Sequence, residues 1–216
     1  MKNTLLLLVF SVSCWHFSCT PSNTVGTQSK TLPDYFQPIP SQEVIRFEVT
    51  QGDTVIQGDT ISNSLFFSQL ETRLMNDVPY LDNSGELTVI GRVRFPLTEN
   101  VDAYLVDIRQ NWYQHQSLFM FDKQKSAFTA RQTVAEFYGG EGGQILTGSW
   151  LTDYDKDGNK DLVRREIEHW IILEEENTRD TMAEHGKLLL WKNGQFVETA
   201  ADSAALVKKY PIRSMW

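Results

Sequence analysis

The sequence predicts a mainly β protein made of antiparallel sheets, with one or two short helices. Several segments alternate apolar and polar residues or are rich in β-branched and aromatic residues, which is typical of strands. Asn193-Gly194 lies between two apolar runs, the signature of a type I′ hairpin turn. The chain is 41% hydrophobic and 12% aromatic, which indicates a folded core and argues against disorder.

The expected elements follow one another closely along the chain. A strand is expected at 43–50 and a hairpin with two Gly-Asp turns at 50–60. A helix is expected after a cap at Ser62 or Asn63, and a second, short helix at 203–210 before Pro211. A loop is expected at 138–144, where the sequence is YGGEGGQ. The remaining strands are expected at 85–95, 102–108, 117–123, 128–134, 148–155, 161–172 and 187–198.

A faint internal repeat runs through these strands. The segment from Ala103 to Phe128 and the segment from Asp161 to Phe196 share one plan. Each is an apolar strand, a polar stretch, a second apolar strand, a tight turn and then a phenylalanine. Two such units are too few to close a propeller ring. We therefore expect two packed antiparallel sheets, or one or two propeller-blade-like units capped by a helix.

The N-terminus has the pattern of an export signal. Lys2 precedes the apolar run LLLLVFSVSCWHF, which is too short to span a bilayer comfortably. Cys19 follows a serine and precedes a polar stretch, a pattern that resembles a bacterial lipoprotein signal. We predict a signal peptide at 1–18, lipidation of Cys19 in preference to Cys14, a flexible tether at 19–40 that becomes ordered near Tyr35 and Phe36, and a β-rich domain at 41–216. A plain secretory signal with a spare cysteine is the alternative.

Composition narrows the function classes. The formal net charge is −8, and no basic patch is present, so nucleic acid is not an expected partner. No acidic run follows Cys19, which favours an anchor in the cell envelope facing the periplasm. The membrane is then a partner through the lipid.

The segment LTDYDKDGNKDLVRRE, residues 151–166, concentrates negative charge in one turn. Numbered from the first aspartate, carboxylates fall at positions 1, 3, 5 and 9, a glycine at 6 and an asparagine at 7. Oxygen ligands at such spacings converge on one hard cation, with the backbone carbonyl serving at position 7. The predicted metal ligands are Asp153, Asp155, Asp157, Asn159 and Asp161.

Calcium is the expected ion, because four mutually repelling carboxylates suit a divalent cation that accepts six to eight oxygens. The loop contains neither cysteine nor histidine, which argues against zinc. Position 12, a glutamate in EF-hand loops, is Arg164 here, and the flanks are strands, so a helix–loop–helix is not expected. The alternative is an acidic surface turn without an ion, partly neutralised by Lys156 and Lys160.

Residues 148–197 resemble an FG-GAP or VCBS-type blade, in which D-x-D-x-D-G-x-x-D-L leads into a strand. The later LLLWKNGQF is similar to the second hairpin of that family. The resemblance implies calcium at the aspartates in positions 1, 3, 5 and 9 and at the carbonyl in position 7. TVAEFYGGEGG at 133–143 resembles a segment of uncharacterised Bacteroidota lipoproteins.

Other candidate sites are weaker. Glu166 and Glu168 on one strand face would imitate the paired acids of a glycosidase, although alternating polar residues on a solvated face explain them equally. The acidic stretch 174–185 is expected to be a mobile loop, and with the exposed aromatics Trp112 and Tyr113 it would serve a glycan- or protein-binding module. His169 is expected to be half-buried and hydrogen-bonded.

No hydrolase or nucleotide-binding motif occurs, so we expect a non-enzymatic, lipid-anchored envelope protein with one structural Ca²⁺.

Overall fold

The computed structural model describes residues 30–49, 57–74, 87–110, 113–140, 142–173 and 178–213. The architecture is mainly β, as predicted, with two short α-helices and two 3₁₀ helices in these residues. The signal peptide, Cys14, Cys19, Trp112 and most of the expected 50–60 hairpin lie outside the described residues.

The elements are numbered in chain order. The strands are β1 (Gln37–Pro38), β2 (Val44–Phe47), β3 (Asp59–Ile61), β4 (Thr88–Pro96), β5 (Val101–Gln110), β6 (Tyr113–Asp122), β7 (Ala127–Gly140), β8 (Gly143–Thr152), β9 (Asp161–Leu173), β10 (Thr178–Lys192) and β11 (Gln195–Thr199). The α-helices are α1 (Asn63–Ser68) and α2 (Ser203–Lys209), and the 3₁₀ helices are Leu32–Tyr35 and Thr72–Leu74.

The described strands form one hydrogen-bonded sheet. From β4 to β11 each strand pairs antiparallel with the next one in the chain. At the N-terminal edge β1 adds to β4 in parallel and β3 adds to it antiparallel. The arrangement differs from the expected pair of separate sheets, because the β7–β8 hairpin joins the two halves of the chain through backbone hydrogen bonds.

The sheet folds over at β8. Residues 143–147 of β8 pair with β7, whereas residues 149–152 pair with β2. β11 contacts β7, although four strand spacings in a flat sheet would separate them by about 19 Å. The main core fills the space inside this fold, and its buried side chains come from both halves, including Leu118 on β6 and Leu162 on β9.

The N-terminal segment covers the outer face of β4–β7. Leu32 and Phe36 are 3% and 4% exposed and pack with Phe66 of α1 and Tyr104 of β5. Part of the predicted tether at 19–40 therefore belongs to the fold, because these apolar side chains have a sheet face to cover.

Helix α2 packs over β9 and β10 at the other end of the molecule. Leu206 and Tyr210 are buried against Val163 and Leu188. The side chain of Asp202 caps the helix by accepting a hydrogen bond from Ala205 N at 3.1 Å.

Among the described residues, none of the helices has the length and apolar character that a membrane crossing requires.

Three local expectations are corrected. The expected 138–144 loop is mostly strand, since β7 runs to Gly140 and β8 begins at Gly143. The expected mobile loop at 174–185 is strand from Thr178 onward, because β10 continues in register with β9. Tyr113, expected to be an exposed aromatic, is 2% exposed, and its hydroxyl donates a hydrogen bond to Glu136.

Candidate metal centre

The aspartate-rich loop connects β8 to β9. β8 ends at Thr152, the loop comprises residues 153–160, and Asp161 is the first residue of β9. Lys156 and Gly158 have φ of 65° and 91°, so the chain turns twice through the left-handed region within three residues. Glycine adopts this conformation without strain, which accounts for the residue type at position 6.

Asp161 holds the loop to the rest of the sheet. Its Oδ2 accepts a hydrogen bond from Tyr154 N at 3.0 Å, and its Oδ1 accepts one from Trp191 N of β10 at 2.9 Å. The side chain is almost fully buried, as the residue is 1% exposed. The sequence predicted Asp161 as a metal ligand but gave no signal for its bond to Trp191, which depends on the pairing of distant strands.

Three of the four predicted carboxylate ligands come together. One carboxylate oxygen each from Asp153, Asp155 and Asp161 lies within 4.8 Å of the others. Asp153 Oδ2 accepts a hydrogen bond from Gly158 N at 3.1 Å. Its other oxygen, Oδ1, is buried and has no hydrogen-bond partner among the described residues. A buried carboxylate oxygen without a partner is costly unless a cation lies against it.

Asp157 is bonded to Asn159. Asp157 does not belong to the group of mutually close oxygens. Its Oδ1 accepts a hydrogen bond from Asn159 N at 2.8 Å, and its Oδ2 accepts one from Asn159 Nδ2 at 3.1 Å. These bonds to the ionised carboxylate lower the pKa of Asp157.

The loop carboxylates have no basic side chain in direct contact among the described residues. Among the described residues, no lysine or arginine forms an ion pair with any of the four loop carboxylates. Lys160 Nζ instead donates a hydrogen bond to the Glu43 carbonyl at 2.7 Å. Burial raises the pKa of Asp161, with a further contribution from the charge of Asp155. A divalent cation would reverse this repulsion.

The donor set suits a hard cation. It consists of carboxylate oxygens from Asp153, Asp155 and Asp161, without nitrogen or sulfur, and such sets suit calcium or magnesium rather than zinc. Calcium accepts irregular arrangements of six to eight oxygens, so carbonyls or water would complete the sphere around three carboxylates. Magnesium demands a near-octahedral site. A bound ion would give the buried Asp153 Oδ1 the partner that it lacks among the described residues.

Glu166, one of the two acids proposed from sequence, lies in an ion-pair network. Glu166 Oε2 is 3.2 Å from Arg164 Nη2, which also contacts Glu136 Oε1 at 2.7 Å. His169 is half-buried, as expected, and its Nε2 bonds to Asp180.

Comparison of the chain with protein-family models, with curated proteins and with solved structures gives no match.

Proposed function

We propose that the protein is a non-enzymatic, lipid-anchored protein of the cell envelope whose β-sheet is stabilised by one calcium ion. The observation that carries the calcium part is the convergence of three carboxylates, one of which has a buried oxygen without a partner. Asp153, Asp155 and Asp161 would hold the ion. Asp157 and the Asn159 carbonyl remain expected ligands from the sequence.

The ion would act as a structural clamp. Asp161 accepts hydrogen bonds from both the loop and β10, so an ion bound to it would connect β8, β9 and β10. By neutralising the loop carboxylates, it would also remove their mutual repulsion. Calcium would thereby stabilise the half of the sheet whose sequence resembles a blade.

The envelope location rests on the N-terminal sequence. The apolar run before Cys19 and the polar stretch after it support export and lipidation. The sequence has no basic patch of the kind that binds nucleic acid, so nucleic acid is not proposed as a partner.

The binding module built on residues 174–185 loses its main argument. The described part of that segment, 178–185, is paired along its length with β9 and is therefore a strand rather than a mobile loop. Tyr113 is buried as well. A glycan- or protein-binding module on this segment remains the alternative proposal, with the β9–β10 hairpin in place of a mobile loop.

Calcium binding is tested by thermal unfolding of the full chain in a mild detergent. At a calcium concentration about 100 times the dissociation constant, the ion should stabilise the fold by about 2.7 kcal/mol. For a domain of this size the midpoint should then rise by roughly 5–10 °C. A chelator should lower the midpoint, and excess calcium should restore it. Magnesium at the same concentration should act more weakly, because three carboxylates in an irregular turn do not impose octahedral geometry.

The matched variants are Asp155→Ala in the loop and Glu198→Ala on the exposed face of β11. Asp155→Ala should abolish the calcium-dependent shift, because it removes one of the three converging carboxylates. Glu198→Ala removes one exposed negative charge elsewhere and should retain the full shift. A midpoint that responds to neither chelator nor calcium would refute the calcium site.

A further inference from the structure

The aspartate loop contacts the C-terminal part of the chain through one aromatic side chain. Tyr154 lies between Asp153 and Asp155, two of the three residues whose carboxylates converge. Its ring centroid is 6.4 Å from that of Tyr210, and Lys209 Nζ lies 5.5 Å from it, within the range of a cation–π contact. The loop therefore packs directly against the end of α2.

The backbone of Tyr154 is positioned by the residues that would hold the ion. Tyr154 N donates a hydrogen bond to Asp161 Oδ2 at 3.0 Å, and the residues before and after it are Asp153 and Asp155. An ion bound to the three carboxylates would restrain this backbone on both sides and through Asp161. Without an ion, the like charges of Asp155 and Asp161 repel each other. The position of the Tyr154 ring therefore depends on whether the ion is bound.

Helix α2 depends on its contacts with the sheet because it is short. It has 7 residues, and an isolated helix of this length is not stable in water. At its end, Arg165 Nη1 donates a hydrogen bond to the Tyr210 carbonyl at 3.1 Å. Trp150 Nε1 donates one to the Pro211 carbonyl at 3.2 Å. Because α2 is helical only while it is docked, any weakening of its contacts increases the fraction of molecules in which it is open.

We propose that calcium controls the docking of the C-terminal segment, residues 203–213. This inference rests on the proposed calcium site and adds a regulatory consequence to it. With the ion bound, the Tyr154 ring is held against the end of α2 and the segment stays docked. When the ion leaves, this contact loosens, the segment opens more often, and Val163 and Leu188 beneath α2 are uncovered. By linkage, docking of the segment raises the affinity for calcium by the same factor.

The test is hydrogen exchange of the full chain in a mild detergent, measured by mass spectrometry with excess calcium and with a chelator. Calcium should slow the exchange of the α2 amides about tenfold, which is a typical coupling between two sites. The amides of α1 are the internal reference. Their exchange should change by no more than about twofold, because local openings are independent and α1 packs in a different core cluster from Tyr154.

The docking inference and the calcium site fail in different ways. If calcium raises the midpoint of thermal unfolding but leaves exchange in α2 unchanged, the docking inference is overturned and the calcium site stands. If calcium changes neither the midpoint nor the exchange, both are overturned. Equal slowing in α1 and α2 would indicate a uniform stabilisation of the fold and would also overturn the docking inference.

Variants at Tyr154 identify the contact that carries the coupling. Tyr154→Ala removes the ring but none of the carboxylates, so calcium should still raise the midpoint, while the slowing in α2 should fall to about twofold or less. Tyr154→Phe keeps the ring and should behave like the parent chain. Lys208→Ala, at an exposed position of α2, is the matched control and should also behave like the parent. A calcium effect on α2 that persists undiminished in Tyr154→Ala would refute the inference.

A second variant covers the case in which Tyr154→Ala does not fold, which circular dichroism would reveal. Lys209→Ala removes the cation that lies over the rings of Tyr154 and Tyr210 and leaves both rings in place. It should reduce the calcium-dependent slowing in α2 by a smaller factor than Tyr154→Ala. Slowing equal to that of Lys208→Ala would count against the contact between the loop and α2.

Discussion

His115 shows what burial does to a single polar residue in this fold. It is 0% exposed on β6, and neither ring nitrogen has a hydrogen-bond partner among the described residues. Burial, aided by the charge of Arg131, lowers the pKa of His115 to about 3. The histidine is therefore neutral in the folded protein at neutral and mildly acidic pH.

This histidine should make the protein sensitive to acid. The unfolded chain takes up a proton at His115 near pH 6.5, whereas the folded chain does so only near pH 3. The stability that the neutral His115 contributes is therefore fully present above pH 6.5. It is lost as the pH falls from 6.5 towards 3, and the free energy of unfolding decreases by about 1.4 kcal/mol per pH unit in that window. We expect His115→Leu, a change of similar volume, to remove this part of the pH dependence of urea unfolding.

The comparison with the parent chain isolates His115, because carboxylates with lowered pKa, such as Asp34 and Asp122, contribute equally to both proteins. His185 is exposed on β10, so His185→Gln should unfold like the parent at every pH. Parallel curves for the parent and His115→Leu between pH 6.5 and 4 would contradict the assignment.

The elements that the sequence predicts correctly have short-range signals. Asn193 and Gly194 have φ of 52° and 83°, as a type I′ turn requires, and Ser62 caps α1 by accepting a hydrogen bond from Leu65 N. The strand at 178–185 was missed because its polar, acidic sequence has little strand preference. It is strand because each residue pairs with β9, and pairing is not visible in a local pattern.

The metal centre and the cavity between β2 and β4–β6 differ in the same way. Asp153, Asp155 and Asp161 lie within nine residues of one another, so their spacing alone predicts that they meet. The cavity joins residues from β2, β4, β5 and β6. Arg92 and Asp107 look like ordinary polar positions in alternating strands, and they come together because β4 pairs with β5.

The contact between α2 and β10 depends on a glycine. A Cβ at Gly186 would lie 2.7 Å from Leu206 Cβ and 2.9 Å from the Ser203 carbonyl oxygen. Gly186 N also donates a hydrogen bond to Ser203 Oγ at 2.8 Å. We expect Gly186→Ala to push α2 away from the sheet and to destabilise the protein by about 1–3 kcal/mol in urea unfolding.

Gly140 provides the matched control. A Cβ at this position meets nothing within 4 Å, so Gly140→Ala should be neutral or slightly stabilising. If Gly186→Ala were as stable as Gly140→Ala, the close packing of α2 on β10 would be refuted.

At the scale of the whole molecule, two similar units share one core. The β6–β7 hairpin sets Phe121 opposite Phe128 with ring centroids 5.2 Å apart, and the β10–β11 hairpin sets Trp191 opposite Phe196 at 5.0 Å. The faint sequence repeat thus has a structural counterpart in these hairpins. The units are not independent, because the main core takes side chains from both.

A shared core predicts a single unfolding transition. Leu118 on β6 and Leu162 on β9 are both 0% exposed and belong to the same cluster, yet they lie in different halves of the sheet. We expect Leu118→Ala and Leu162→Ala each to lower the free energy of unfolding by about 2–5 kcal/mol. In both variants, urea curves followed by tryptophan fluorescence and by far-ultraviolet circular dichroism should coincide. If the halves were separate units, Leu162→Ala would instead produce two steps, with the β4–β7 half unfolding at the parent's midpoint. If the folded-over sheet unfolds as one body, each variant should show a single transition with its midpoint at a lower urea concentration. The reason is that either substitution leaves a cavity in a core that both halves share.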